Sequence, residues 1–341
     1  MTFNSRNAVR NGRSRRYRLG ALTIFAVVAS LILSACSSGT DQAAKKSADD
    51  LKGALISVIT SPLDNPYWRA EADTITAEGK RMGYQVNVVS HDADPKKESD
   101  LVDTAITKKS AAIVLDPAGA DSSIGNASKA NAAGIPVFLV NAEINEQGIA
   151  KSQLVSNNAQ GAVLGAQQFA QAMGRKGKYV ELVGLSTDTN AAVRSNGFAS
   201  VLGQFPDLEK VQQETADWDQ KKGFDKMQTM LQAHPDIKGV IAGNDQMALG
   251  AISALKQAGK LDQVVVGGFD GNQDAVNAVK NGEMAYTVVQ PVVDFSTDVV
   301  HQIDNYLRSG KTGVDDEKQL FDCSLVTRAN AGEWQDFQHK K

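Results

Sequence analysis

Cysteine and histidine are scarce in this chain, at two and four residues in 341. Two cysteines, Cys36 and Cys323, cannot build a disulfide framework, and a lone Cys323 reads as a small buried apolar residue. The histidines, His91, His234, His301 and His339, are scattered without the spacing of a metal site, and each is expected on the solvated surface. There is no Gly-x-Gly-x-x-Gly for a dinucleotide. The stretch "SGKTG" at 309–313 has Asn305 where a phosphate-binding loop needs its first glycine, and it follows a helical pattern. "DADPKKE" at 92–98 is acidic but lacks the glycine of a calcium loop. No nucleophile–base constellation stands out. The chain is therefore read as a non-enzyme that needs no cofactor and no metal.

Charge is distributed unevenly. Arg6, Arg10, Arg13, Arg15, Arg16 and Arg18 crowd the start without an acid, and an apolar run of 15 residues, "LGALTIFAVVASLIL", follows. A basic start, a short apolar run and small residues describe a secretory signal over 1–35. The run falls short of the roughly 20 residues that span a bilayer, though a membrane anchor is the alternative. "LSAC", Leu33-Ser34-Ala35-Cys36, resembles the lipobox of bacterial lipoproteins. That resemblance implies a lipidated Cys36 and attachment to a membrane; an ordinary signal with a chance cysteine is the competing reading. "SRRYRLG" resembles a twin-arginine signal only loosely, because Arg18 stands where an apolar residue belongs. Without residues 1–35 the chain keeps 30 basic and all 39 acidic residues, a net charge of −9. An acidic body excludes nucleic acid as a partner. Residues 36–53 are small, polar and aperiodic, and read as a flexible tether.

From residue 54 onward, short apolar runs alternate with amphipathic ones. Strands are expected at 54–60, 85–90, 111–115, 135–140, 178–185, 239–243, 263–269 and 285–290. Helices are expected at 66–82, 97–109, 121–133, 159–174, 191–203, 221–233, 246–258, 272–281 and 292–309. Such alternation predicts α/β architecture with parallel sheets. In "SPLDNPYW", Asn65 is placed to cap a helix and Pro66 to occupy its first turn. Tyr67 and Trp68 then point about 100° apart, so both are not expected on one buried face. The predicted strands end in polar residues: His91-Asp92, Asp116-Pro117, Asn141, Asn244-Asp245, Asp270 and Gln290. Each alone is an ordinary cap or turn residue. Together with Arg194, Tyr67, Trp68 and Trp218, they suit a sugar or polyol. Its hydroxyls donate and accept, and its C–H faces lie flat on aromatic rings. Ligands of open parallel sheets bind outside the carboxyl ends of the strands.

The motifs "SPLDNPYW", "VVSHDADPKKE", "NAAGIPVFLVN", "AAVRSNGF", "ADWDQKKGFDKMQTMLQAHPDIKGVIAGNDQMALGAISALKQAG", "VVVGGFDG" and "YTVVQ" resemble the periplasmic sugar-binding proteins of ABC importers, in the ribose-binding-like branch, over about residues 54–328. The resemblance implies two similar doubly wound parallel-sheet lobes joined by a three-strand hinge. It places one lobe at 51–156 and 291–318, and the other at 157–290 and 319–330. It implies ligand contacts from Asn65, Tyr67, Trp68 and Asn141 in the first lobe, and from Arg194, Trp218, Asn244, Asp270 and Gln290 in the second lobe and hinge. It further implies an extracytoplasmic monomer that delivers a small sugar to an ABC permease; a second role, docked on a chemotaxis or sensor receptor, stays open. Repressors of the same two-lobe fold would need a helix-turn-helix where the signal stands.

One departure bears on the ligand. The family pattern has an arginine after the acid that ends the fourth strand, whereas here Asn141 is followed by Ala142 and Glu143. A ring oxygen needs a donor, and a carboxylate is acceptor-only. Glu143 is accordingly expected in the site, and a tetritol or pentitol is expected to bind better than a pentose; ribose-type binding is the alternative.

Overall fold

Eight apolar runs become strands, and four further strands complete two six-stranded sheets. The computed structural model describes residues 48–340. The expected signal 1–35, Cys36 and most of the expected tether lie outside the described residues.

The first sheet is built from β1 (Leu55–Thr60), β2 (Gln85–Ser90), β3 (Ala112–Leu115), β4 (Val137–Val140) and β5 (Ser152–Ser156). The second takes β6 (Gly177–Val183), β7 (Leu208–Thr215), β8 (Gly239–Ala242), β9 (Val265–Asp270) and β10 (Tyr286–Val289). Late in the chain β11 (Lys318–Phe321) returns to the first sheet and β12 (Ser324–Thr327) to the second. The orders are β2-β1-β3-β4-β5-β11 and β7-β6-β8-β9-β10-β12. Every pairing is parallel except β12 against β10.

Helices cover both faces. The first lobe has α1 (Ala48–Leu51), α2 (Pro66–Arg81), α3 (Pro95–Thr107) and α4 (Ile124–Ala132). The second has α5 (Asn158–Ala172), α6 (Thr189–Leu202), α7 (Gln220–Ala233), α8 (Asp245–Gln257) and α9 (Gln273–Asn281). The long α10 (Val292–Ser309) returns to pack on α2. Strand alternation feeds two apolar layers per sheet. In β3 and β4, Val114, Phe138 and Val140 meet Ile75, Phe295 and Ile303 on one side. Ile113, Leu115, Val137 and Leu139 meet Val102 and Ala130 on the other. Burial on both faces explains why these strands are apolar throughout; each such side chain contributes about 1.5–3 kcal/mol.

The carboxyl ends of the strands are polar for a local reason. Asn65, Asp94, Asn157, Asp188, Asp219, Asn244 and Asn272 each accept from a backbone N–H in the first turn of the helix that follows. Capping thus lines the edge that faces the other lobe with amides and carboxylates.

The chain passes between sheets after β5, after β10 and between β11 and β12. The third passage lies later than expected. A division after residue 318 falls inside β11, whose Gln319, Leu320 and Phe321 pair with Leu154, Val155 and Ser156 of the first sheet. Asp322 and Cys323 make the crossing. Cys323 is 5% exposed beside Phe269 and Phe198, as suits a small apolar residue, and burial pushes its thiol up to about 12. Past residue 330 a short hairpin, β13 (Trp334–Gln335) and β14 (Gln338–His339), ends the described chain. No helix among the described residues is long and apolar enough to cross a membrane.

Candidate ligand-binding site

Between the lobes, Asn65, Tyr67, Trp68, Asn141, Arg194, Trp218, Asn244, Asp270 and Gln290 line one inner cavity together with Asp188 and Asn190. Its free volume is about 20 Å³, room for about one water molecule. A larger cleft of about 670 Å³ shares Asn65, Trp68, Asp188 and Trp218 with it, and its walls also include His91, Asp116 and Phe224.

From the first lobe, the cap at Asn65 sets the start of α2, its Oδ1 accepting from Tyr67 N at 3.0 Å. Tyr67 turns inward at 3% exposure, while Trp68 is half-buried and touches the cores of both lobes. The two aromatics thus divide between faces, as helical geometry requires. Tyr67 Oη donates to Gln290 Oε1 at 3.3 Å. Asn141 adopts a left-handed φ of 62° and donates from Nδ2 to both oxygens of Asp116, at 3.3 and 3.2 Å.

The second-lobe wall is a buried network. Arg194, on α6, donates from Nε to Asn158 Oδ1 at 2.7 Å and from Nη1 to Gly243 O at 2.8 Å and Asp270 Oδ1 at 3.4 Å. Both side chains of the Arg194–Asp270 pair are 4% exposed. The guanidinium lies 3.9 Å from the Phe269 ring centroid and 5.2 Å from that of Trp218. Gln290 Nε2 donates to Asp270 Oδ1 at 2.7 Å. Burial pushes Asp270 up to about 7, against the pull of Arg194 and Gln290. Asn244 caps α8 and donates from Nδ2 to Trp218 O at 3.2 Å, holding the loop that carries the indole. Opposite that ring stands Gly184: a Cβ there would lie 2.0 Å from Trp218 Cζ2, so only glycine leaves room.

The lobes touch. Asn190 Nδ2 donates to Asn141 O at 3.1 Å, Ala120 N to Thr187 O at 3.1 Å, and Thr187 Oγ1 to Ala118 O at 3.4 Å. Asn158, at the first crossover, donates to Asn190 Oδ1 at 2.8 Å and so joins Arg194 to this contact. Two donors stay unused. The buried Nε1 atoms of Trp68 and Trp218 have no hydrogen-bond partner; the Trp218 indole lies near Asp188, whose carboxyl burial pushes up against the pull of Asn190 N, Arg194 and that indole. A buried N–H without an acceptor costs about 1–3 kcal/mol, which a ligand oxygen would recover.

Glu143 is not part of this cavity. Its carboxylate bonds Lys318 Nζ on the edge strand β11 at 2.7 Å, drawn outward by that charge. Asp188 and Asn190 are the residues the sequence reading missed. In "TDTN", Asp188 caps α6, with Oδ1 accepting from Asn190 N at 2.8 Å; nothing local distinguishes a cap that also faces a cavity. His91 is a second correction. It is fully buried, not solvated, since Nε2 donates to Asp116 O at 2.8 Å and Nδ1 accepts from Ala93 N at 3.0 Å. Burial pushes its pKa down and keeps the ring neutral. Asp116 is pushed well above the usual carboxylate range by burial first, then by Glu71 and Asp188.

Residues 56–312 match a periplasmic binding protein domain. The chain is 50% identical over 296 residues to the D-apiose import binding protein of Paraburkholderia graminis, covering 87% of this chain and 91% of that one. It is 32% identical to the ribose import binding protein of Bacillus subtilis, over 79% of this chain and 87% of that one. A solved ABC transporter solute binding protein from Bacillus halodurans, with bound myo-inositol, superposes with a TM-score of 0.76 at 27% identity, covering 85% of this chain and 99% of that one. With two parallel-sheet lobes, three passages between them and a polar cleft at the strand ends, the chain belongs to the periplasmic binding protein family, among the relatives of the sugar-import binding proteins.

Proposed function

We infer that the protein captures a small neutral sugar between its lobes and hands it to an ABC permease, with D-apiose, a branched pentose, as the first candidate. The observation that carries this reading is the cavity itself. A fixed cation–anion pair, amides and two unpartnered indole N–H groups surround it. Such walls match hydroxyls that both donate and accept. The identity of 50% to a D-apiose import binding protein supports the choice of sugar. Only about 20 Å³ is free with the lobes in contact, so a sugar enters as they part and is held as they close.

A tetritol or pentitol is less favoured than the sequence suggested. With Glu143 on Lys318, no carboxylate stands at that position to prefer a polyol over a ring. Arg194 and the two indoles supply donors for a ring oxygen. Thermal unfolding with D-apiose, D-ribose, xylitol and erythritol separates the readings. D-apiose at a hundredfold excess over Kd should add about 2.7 kcal/mol of stability. A shift with the polyols alone would return the assignment to a polyol binder, and no shift with any of the four would remove the sugar reading. Attachment of Cys36 to the membrane is part of the same proposal: Cys36→Ser should move the protein to the soluble fraction.

A further inference from the structure

The end of the described chain carries an unusual turn. β13 and β14 are joined by only Asp336 and Phe337, with φ of 47° and 66°. Two successive left-handed residues make a type I′ hairpin turn, which favours Asn-Gly or Asp-Gly. A bulky side chain at the second position is a backbone outlier. Such strain persists only where the surroundings over-determine it.

The surroundings of Phe337 are in the other lobe. The root of the hairpin belongs to the second lobe: Ala331 is fully buried in its core and Trp334 packs on the same cluster. Asp336 N donates to Gln273 Oε1 at the start of α9, at 3.2 Å. The tip belongs to the first lobe, where Phe337 is 7% exposed within its apolar core. Its ring meets Tyr67 edge to face, with centroids 6.0 Å apart and planes at 78°. Tyr67 in turn lines the inner cavity and bonds Gln290, which bonds Asp270.

We propose that Phe337 is a positioning residue for the ligand site: the C-terminal hairpin is a strap rooted in the second lobe, and its tip seats Tyr67 and holds the lobes together. The aromatic side chain occupies a glycine position because its contact lies across the cleft. This rests on the reading of the cavity as a sugar site.

The test compares wild type, Phe337→Gly and Phe337→Leu in the full chain, with D-apiose as the probe. Glycine suits the turn better than phenylalanine, so a purely local role predicts an unchanged or raised melting temperature and unchanged affinity. The strap predicts that Phe337→Gly weakens D-apiose binding at least tenfold, mainly through faster dissociation, and that Phe337→Leu recovers most of it. Wild-type affinity and dissociation rate in Phe337→Gly would overturn the proposal. If wild type itself binds no D-apiose, the sugar reading fails separately. X-ray scattering of the ligand-free proteins then still decides: Phe337→Gly should be more extended than wild type, and an unchanged radius of gyration would overturn the strap.

Discussion

The two walls of the cleft differ in charge. The second-lobe wall holds Arg194 and Asp270 locked together, with Asn158, Gly243 O and Gln290 completing their bonds. The first-lobe wall has no lysine or arginine among the residues that line the two cavities; its acids are Asp64 and Asp92, exposed in the larger cleft, and Asp116, at 1% exposure, while Glu71, at 0%, lies near Asp116 and Tyr67 without lining either cavity. Burial pushes Glu71 up to about 8, and one of its oxygens, Oε2, has no partner. One wall is therefore a pre-formed donor array built on Arg194 and Gln290; the other has as its buried acid Asp116, whose carboxyl burial tends to keep protonated. In the inner cavity the one cation, Arg194, is matched by Asp270, an arrangement that suits a neutral polyhydroxy ligand. The second wall is where binding energy should be concentrated.

Arg194→Ala gives the largest expected effect. Removing one partner of a buried ion pair costs about 3–5 kcal/mol, so melting temperature should fall and D-apiose binding should be lost together. Retained stability with lost affinity would mean that Asp270 does not depend on the pair. Next comes Gly184→Ala, which forces Trp218 aside. Affinity should drop about tenfold or more, by analogy with large interface anchors, with a change in tryptophan fluorescence. Unchanged fluorescence and affinity would show that the ring is not held there.

Glu71→Gln probes the first lobe through pH. The folded pKa of about 8 exceeds the ordinary 4.5, so the folded chain keeps a proton that the unfolded chain releases. Stability from this group is present at low pH and declines as pH rises from about 4.5 to about 8. The variant should therefore gain on wild type in melting temperature between pH 5 and pH 9; a constant difference would mean that Glu71 is ionised in the fold. The smallest effect belongs to Glu143→Ala. Its pair with Lys318 is partly exposed, so stability should change by about 1 kcal/mol or less and affinity not at all.

These residues also show what was legible in the sequence. Strands buried on both faces announce themselves as apolar runs. β5, "SQLVS", is just as buried but holds Ser152, Gln153 and Ser156, whose polarity hides it. β7, "LEKVQQET", lies at a sheet edge with much of its length exposed, and edge strands are often polar. β11, "KQLF", and β12, "SLVT", are edge strands that are only partly buried, so neither carries the apolar run of the equally short central strands. In the site, position at a strand end was readable, so Asn65, Asn244 and Asp270 could be singled out. Direction was not. Asp188 caps a helix and faces the cavity, while Glu143 stands two residues beyond Asn141 and turns away toward Lys318. His91 looked like any isolated polar residue until its partners, Asp116 O and Ala93 N, were seen. The strap at Phe337 depends on a contact 270 positions away in sequence, with Tyr67, which no local pattern encodes.

Isothermal titration of D-apiose into wild type, Glu143→Ala and Arg194→Ala measures the asymmetry of the walls most directly. The account predicts one site of equal affinity in wild type and Glu143→Ala, and a loss of at least a hundredfold in Arg194→Ala. Equal binding by Arg194→Ala, or lost binding in Glu143→Ala, would contradict it.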